Sequence, residues 1–355
     1  MYVKLESLRG IAACFVVLFH SPLSYFEHRV WFIANSYLFV DLFFILSGFV
    51  ISYAYTDKIS NGLSLKTFAA LRLGRIYPLH IFMLLLFVFY TAIKVLLSSL
   101  GFGGEQEFDK NNVSSFISNI LLIHSIGVHN YLTWNYPSWS ISVEFFTYMI
   151  FFVLIRSFDK QSTLIFPIIL AVAGYCWLSF LERDNLDITY DYGLVRCISA
   201  FYIGVFLYRA KEKIRFLEKY PNFWEIFSFS FVALAVSYAH NGWLFQLLAI
   251  ISFLVTISVF SQSSNGVIGH LLHKKIVRLV GIWSFSIYMI HALIISIAGS
   301  FGKYIIGAEL SEIHGPMSLI IDLSLLAIII FISRFTYHFI EDKYRRVVKE
   351  KIHRG

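Results

Sequence analysis

The sequence predicts an all-α protein, a polytopic membrane bundle of about ten transmembrane helices with both termini in the cytoplasm. Of its 355 residues, 58% are hydrophobic and only 14% are charged, whereas a soluble domain carries roughly 25% charged residues. The mean hydropathy is +0.70. The apolar residues form continuous runs of about 18–24, a length typical of membrane helices and not of barrel strands. The basic residues, finally, are divided unevenly between the two sides of such a bundle.

Hydropathy and helix-breaking residues place the ten helices along the chain. They are predicted at residues 8–27, 35–56, 77–100, 138–156, 162–181, 192–209, 223–240, 243–261, 279–299 and 316–339. The first segment is longer than the core of a signal peptide and no cleavage site follows it, so we expect it to be retained. The three cysteines lie in apolar segments without metal or disulfide spacing and are interpreted as core residues. Residues 1–355 are therefore predicted to form a single membrane domain.

The Lys and Arg residues indicate the orientation of the bundle. With the N-terminus inside, the inner segments hold 22 of them, and the outer loops hold four: Arg29, Lys110, Arg183 and Lys303. One helix more or less would destroy this asymmetry. The net charge of +7 thus follows from membrane topology and requires no nucleic acid to explain it. In the long outer loop at residues 101–137, the stretch from Val113 to Val128 is predicted to form a short interfacial helix.

The first helix carries a cation and an imidazole on one face. Arg9 and His20 are eleven positions apart, which on an α-helix is three turns plus about 20° and a rise of about 16 Å. With Arg9 at the inner surface, His20 lies near the middle of the bilayer. An ionisable group at that depth usually has a function or a partner. Two interpretations remain open at this point: chemistry at His20, or a hydrogen bond from His20 to a neighbouring helix.

Other ionisable residues are also predicted inside the membrane. Asp41 lies in the second helix, Glu144 in the fourth, and His291 in the ninth at about the depth of His20. A buried carboxylate needs a cation or several donors. Two histidines with two carboxylates suit a proton relay or acid–base catalysis. The pair Ser47-Gly48 in the second helix is interpreted as a site of close helix packing.

Two further short stretches have both a structural and a functional interpretation. Arg72 and Arg75 precede the third helix, with Pro78 in its first turn, and their spacing suits a phosphate. A positive-inside loop would also contain these arginines. Trp139 begins the fourth helix after a possible N-cap at Ser138, and it suits either an interfacial aromatic belt or a platform on which a sugar stacks.

Six motifs occur in a specific order along the chain. They are Arg9 and His20 with ten residues between them, FVDLFFILSGF, RLGRIYP, SWSISVE, RCISAFYIG and SFSIYMIH. With these motifs the chain resembles the acyltransferase-3 family of membrane acyltransferases over its full length. It differs from many members at Phe145, where a second acidic residue is common, and in lacking a proline in the Glu341-Asp342-Lys343 turn. We expect no fused extracytoplasmic esterase-like domain of the kind that some members carry.

The resemblance implies a membrane O-acyltransferase that moves an acyl group, most often acetyl from acetyl-CoA, onto hydroxyls of surface or extracellular carbohydrates. Exopolysaccharide and lipopolysaccharide are candidate acceptors. His20 would act as a general base or as a transient acyl carrier, and Glu144 or Asp41 would orient its imidazole. The CoA phosphates would be bound on the cytoplasmic side by Arg9, Arg72 and Arg75. The acceptor would be bound by Trp139, Ser142, Arg196 and His291.

The resemblance also implies partners and a location. We expect acetyl-CoA as co-substrate, no tightly bound cofactor and no metal. The expected partners are the lipid bilayer, a carbohydrate acceptor that is free or lipid-linked, and proteins of polysaccharide assembly, but no nucleic acid. The expected location is the bacterial inner membrane.

Two other functions are alternatives. A transporter or flippase of a lipid-linked saccharide predicts inverted repeats and paired broken helices, and the sequence shows no paired breaks. A non-catalytic subunit of a polysaccharide-assembly complex would tolerate the loss of His20.

Overall fold

The computed structural model describes residues 2–21, 30–100, 109–157, 162–181, 183–307 and 309–354, apart from the side chains of residues 162–164 and 352–354. These ranges are mostly helical and contain no β-strand, which confirms the predicted all-α class. The α-helices of six or more residues in the first part are α1 (Val3–Phe19), α2 (Phe39–Ser60), α3 (Leu65–Ser99), α4 (Val113–Ile120), α5 (Trp139–Ser157), α6 (Ser162–Ser179) and α7 (Gly193–Ala210). Those of the second part are α8 (Pro221–Ser237), α9 (Trp243–Phe260), α10 (Val267–Leu272), α11 (Lys275–Ile282), α12 (Ser284–Phe301), α13 (Pro316–Thr336) and α14 (Lys343–Arg354).

Seven helices in these ranges are long and apolar enough to cross a membrane. They contain α2, α3, α5, α7, α9, α12 and α13, in several cases with a short extension. Each of the ten predicted segments overlaps a helix, and the remaining three correspond to α1, α6 and α8, with 17, 18 and 17 residues. The chain is thus a multi-pass membrane protein.

Three predicted helix boundaries are wrong. The first helix ends at Phe19, so His20 caps its C-terminal end instead of lying within it. The third helix begins twelve residues before the predicted start, at Leu65, because Ser64 Oγ accepts a hydrogen bond from the Thr67 N–H at 3.1 Å. Pro78 therefore lies inside α3 and not in its first turn. The predicted ninth helix is two helices that break at Trp283, where the apolar pattern continues without a signal.

Glycines bring two pairs of helices into close contact. A Cβ atom on Gly48 of α2 would lie 1.9 Å from the Phe201 carbonyl oxygen of α7, and one on Gly204 of α7 would lie 1.9 Å from the Ile45 oxygen. This confirms the packing interpretation of Ser47-Gly48. In the same way, a Cβ on Gly10 of α1 would lie 2.5 Å from the Gly281 nitrogen of α11. Only glycine permits these approaches, and they fix α1 against α11.

The end of the bundle at which α1 begins is here termed the basic face. Here Lys4 Nζ donates to the carbonyl oxygens of Gln262 and Ser264, both at 2.7 Å. The buried carboxylate of Glu225 accepts from the backbone N–H groups of Gly266 and Gly269 and so caps the start of α10. These contacts fasten the start of α1 to the segment that leads into α11.

The opposite end of the bundle is here termed the loop face. It is formed by the segments before α2, from α4 to α5, and before α7. The interfacial helix predicted from Val113 to Val128 is shorter in the structure, where α4 ends at Ile120. It is amphipathic: Ser115, Ser118 and Asn119 are buried while Val113 and Ile117 are exposed. The chain after α4 folds onto α3 and leads into α5 beside the end of α1.

Candidate active site

Helix α1 carries Arg9 near the basic face and ends beside His20 toward the loop face. The imidazole Nδ1 of His20 lies 2.9 Å from the carbonyl oxygen of Val16, one turn earlier. Because a carbonyl oxygen only accepts, Nδ1 carries the hydrogen, and this assignment leaves the lone pair on Nε2. A lone pair on Nε2 is what a general base or a nucleophile requires.

A second imidazole lies against the first. The ring centroids of His20 and His291 are 4.9 Å apart, and Tyr136 lies 5.3 Å from His20 and 6.2 Å from His291. His291 Nδ1 lies 2.6 Å from the Tyr288 carbonyl oxygen. Its Nε2 is buried and has no hydrogen-bond partner among the described residues. The structure therefore brings together two of the predicted site residues, each tied through Nδ1 to its own helix.

A narrow cavity lies between Arg9 and the histidine cluster. Its walls include Arg9, Phe43, Glu144, Phe285 and Tyr288, and its volume is about 40 Å³. Since a water needs about 10–15 Å³ of such space, the cavity has room for a few waters. A larger chain enters it only if the aromatic side chains move. Tyr288, whose ring centroid is 5.7 Å from that of His291, separates the cavity from the histidines.

The cavity carries a cation and a carboxylate. Arg9 interacts electrostatically with Glu144 and Glu6, and its buried Nε has no hydrogen-bond partner in the described part of the chain. Glu144 lies on α5 one turn before Tyr148, whose hydroxyl is 2.9 Å from Ser47 Oγ. A guanidinium nitrogen without a partner, in a residue that lines a cavity, is a donor available to an anionic or carbonyl ligand.

The two arginines of α3 already have protein partners. Arg72 donates from Nη2 to the Tyr55 hydroxyl at 2.7 Å, and its guanidinium lies 4.6 Å from the centre of that ring. Arg75 forms an ion pair with the buried carboxylate of Glu341, which also accepts from Ser286 Oγ at 3.0 Å. Both arginines lie on the helix near the basic face, as a site for phosphates requires, and their predicted role stays a prediction.

Asp41 and Arg196 form a separate, fully buried ion pair. Arg196 donates to Asp41 Oδ2 from Nε at 3.0 Å and from Nη2 at 2.6 Å. The guanidinium also donates to the carbonyl oxygens of Tyr37 and Ile188, at 3.0 and 3.1 Å. Tyr175 supplies a hydrogen bond to Asp41 Oδ1 at 3.0 Å. The pair thus holds α2, α6, α7 and two loop-face segments together.

Trp139 packs against this pair. Its ring is 5% exposed, and the Arg196 guanidinium lies 5.6 Å from its centre. Among the described residues, no hydrogen bond joins the His20 imidazole to Asp41 or to Glu144. The structure therefore places Asp41, Arg196 and Trp139 together but apart from the histidine cluster.

Ser142 fixes the loop that leads into α5. Its hydroxyl donates to the Leu122 carbonyl oxygen at 2.6 Å and accepts from the Ser125 N–H at 3.3 Å. Leu122 has a φ angle of 58°, a left-handed conformation that is strained for leucine and persists only where neighbours hold it. The Ser142 hydroxyl uses both of these hydrogen bonds to hold the loop, and its predicted contact with an acceptor stays a prediction.

Comparison with known proteins assigns the chain to a family. A family model described as an acyltransferase domain matches residues 2–337. The chain belongs to the acyltransferase-3 family. It is 39% identical to "Protein 2 in picA locus" of Rhizobium radiobacter over 90 residues, which are 25% of this chain and 45% of that protein. It is 33% identical to the acyltransferase MdmB of Streptomyces mycarofaciens over 114 residues, 32% of this chain and 26% of that protein. The matches thus span less than half of either relative, and no solved structure matches significantly.

The site of this acyltransferase-3 protein includes residues that the sequence reasoning missed. Tyr288 lies one turn before His291 in the SFSIYMIH motif, and Tyr136 precedes Pro137 at the start of the predicted fourth helix. Neither position had a signal beyond its motif. Asp322 accepts a hydrogen bond from Ser21, the residue after His20. Its position did have a signal in the sequence, since it is a carboxylate within an apolar membrane segment.

Proposed function

We propose that the protein is a membrane O-acyltransferase that moves an acetyl group from cytoplasmic acetyl-CoA to a hydroxyl of a cell-surface or extracellular carbohydrate. The observation that carries this proposal is the pair of imidazoles, 4.9 Å apart, beyond a cavity lined by Arg9, whose buried Nε has no hydrogen-bond partner among the described residues. Family membership supports the reaction class. The donor and the acceptor are parts of the proposal.

The length of α1 suits acetyl-CoA as donor. Arg9 and His20 are separated by a rise of about 16 Å along the helix. The pantetheine arm of CoA is roughly 15–20 Å of slender chain, from covalent geometry. In the orientation predicted from the basic residues, the basic face is cytoplasmic. The CoA phosphates then remain at Arg9, Arg72 and Arg75 while the thioester reaches His20.

The proposed chemistry begins with the lone pair on Nε2 of His20. It accepts the proton of the acceptor hydroxyl while the hydroxyl oxygen attacks the thioester carbonyl carbon. The carbon–sulfur bond breaks, and the imidazolium returns the proton to the CoA thiolate, so atoms and charge balance. In the alternative two-step route, Nε2 attacks the thioester carbonyl carbon, the carbon–sulfur bond breaks and CoA leaves as the thiolate. The acetyl group then passes from the acyl-imidazolium to the hydroxyl oxygen, and the hydroxyl proton goes to the thiolate. The surrounding aromatic rings exclude water, which would otherwise compete with the acceptor for the acetyl group.

The test compares the wild type with His20→Ala in a bacterial host that makes a candidate surface glycan. Ester-linked acetate on the glycan is measured by NMR, with membrane levels of the two proteins matched. We expect acetate with the wild type and none with His20→Ala. The matched control is His270→Ala, because His270 is exposed on the basic face away from the cluster. Equal acetate with the wild type and His20→Ala would exclude His20 from the reaction and favour a non-catalytic subunit.

A further inference from the structure

Helix α13 carries a polar residue where its buried face approaches the end of α1. Its buried residues form one stripe: Ser318, Asp322, Leu325, Ile329, Ser333 and Thr336. Asp322 lies six residues after the start of the helix at Pro316, about 9 Å below the loop face. The whole residue is 1% exposed. A carboxylate buried in a membrane helix is a functional-site hypothesis that requires a named partner.

One oxygen of this carboxylate has a partner and the other does not. Ser21 donates a hydrogen bond from Oγ to Asp322 Oδ1. Ser21 directly follows His20, so Asp322 contacts the residue next to the one that carries the proposed chemistry. Asp322 Oδ2 is buried without a hydrogen-bond partner in the described ranges. An unsatisfied buried acceptor costs free energy, more so when it is charged, and a bound ligand that donates to it removes that cost.

We propose that Asp322 is an acceptor-binding residue whose Oδ2 accepts a hydrogen bond from a second hydroxyl of the acceptor, next to the one that is acylated. The inference rests on the proposed function and specifies its substrate class: a polyol such as a pyranose, and not a simple alcohol. His20 Nε2 binds the reacting hydroxyl, and Asp322 binds its neighbour. A buried group that requires a donor discriminates strongly against an acceptor that lacks one.

A competing role for Asp322 is to hold the end of α1 through Ser21 and so to position His20. The two roles respond differently to substitution. If Asp322 only holds Ser21, then Ser21→Ala and Asp322→Asn have similar effects, and both lower kcat. If Asp322 binds the acceptor, Asp322→Asn has the larger effect, and that effect falls on the KM for the acceptor.

The experiment uses the purified full chain in detergent with radiolabelled acetyl-CoA. The acceptor probes are methyl α-D-glucopyranoside, which has neighbouring hydroxyls, and cyclohexanol, which has one. For Asp322→Asn we expect the KM for the glycoside to rise by about 10- to 100-fold, as for loss of a hydrogen bond to a charged group. The KM for cyclohexanol should stay unchanged. Ser318→Ala, on the same stripe, is the matched control and should change neither KM.

Five further results decide between the two roles of Asp322 and test the proposed function. Stabilisation of Asp322→Asn by acetyl-CoA in a melting assay shows that the variant is folded, and Asp322→Glu, which keeps the charge, should recover part of the lost affinity. An unchanged KM in Asp322→Asn, or an equal loss of kcat in Ser21→Ala and Asp322→Asn, would overturn the assignment. Absence of transfer by the wild type itself, to either probe or to water, would overturn the proposed function and this inference with it.

Discussion

Two pairs of ionisable side chains lie inside the bundle, and their hydrogen-bond partners differ. In the Asp41–Arg196 pair, both carboxylate oxygens and all three guanidinium nitrogens have protein partners. In the His20–His291 pair, each Nδ1 is held by its own helix and Nε2 of His291 has no partner among the described residues. A satisfied polar network stabilises one packing of the helices, whereas an unsatisfied group is available to a substrate. We therefore infer that the first pair stabilises the fold and that the second pair takes part in the proposed reaction.

The largest effect is expected from breaking the satisfied pair. Asp41→Asn or Arg196→Leu leaves the other partner buried with an unpaired polar or charged group, and should lower the free energy of unfolding by about 3–5 kcal/mol. Unfolding of the purified protein in mixed detergent micelles measures this. The double variant Asp41→Leu/Arg196→Met removes both charges and should recover more than half of the loss. Wild-type stability in the single variants would contradict the structural role.

Arg9, like His291, has a buried nitrogen without a hydrogen-bond partner among the described residues. It therefore provides a second test of the comparison. Arg9→Ala should raise the KM for acetyl-CoA by about 10- to 100-fold, because a charged donor to the ligand is lost. Its melting temperature should stay close to that of the wild type. Arg156→Ala, at the basic-face end of α5, is the matched control and should leave this KM unchanged. Destabilisation of Arg9→Ala as large as that of Asp41→Asn would place Arg9 with the structural groups instead.

His124 is intermediate between the two pairs, and its substitution should have the smallest effect of the three. It lies in the loop before α5, with Nε2 3.1 Å from Ser138 Oγ and its ring stacked on His80. Burial lowers the pKa of His124 to about 3, with the neighbouring His80 adding to the shift. The unfolded chain binds this proton below about pH 6.5. The stability that the neutral imidazole contributes is therefore complete above that pH and is lost as the pH falls toward about 3.

The measurement is the melting temperature at about pH 7 and at about pH 4.5, within this titration range. His124→Gln should lose less stability on acidification than the wild type. His270→Gln, at an exposed position, should behave as the wild type does. An equal loss in His124→Gln and in the wild type would show that other groups cause the pH dependence.

Local sequence patterns were sufficient to predict part of the fold and part of the candidate site. The apolar runs located ten helical segments, and the eleven-residue spacing placed Arg9 and His20 on one helix, because both features depend only on nearby residues. The start of α3 was missed because a single capping serine decided it. The partner of Asp41 is 155 residues away in α7, and the burial of Trp139 under Arg196 depends on the same tertiary packing. Ser21 and Asp322 are 301 residues apart, so only the folded chain shows their contact.

The most direct test measures stability and catalysis on the same samples of His20→Ala and of the double variant Asp41→Leu/Arg196→Met. The rate measured is the release of CoA thiol from acetyl-CoA. We predict that His20→Ala keeps its melting temperature and loses about 10²- to 10⁴-fold in rate, the usual contribution of a general base. We predict that the double variant, where folded, keeps its rate within about tenfold of the wild type. A folded double variant without activity, or a His20→Ala variant with the wild-type rate, would contradict the division between a structural pair and a catalytic pair.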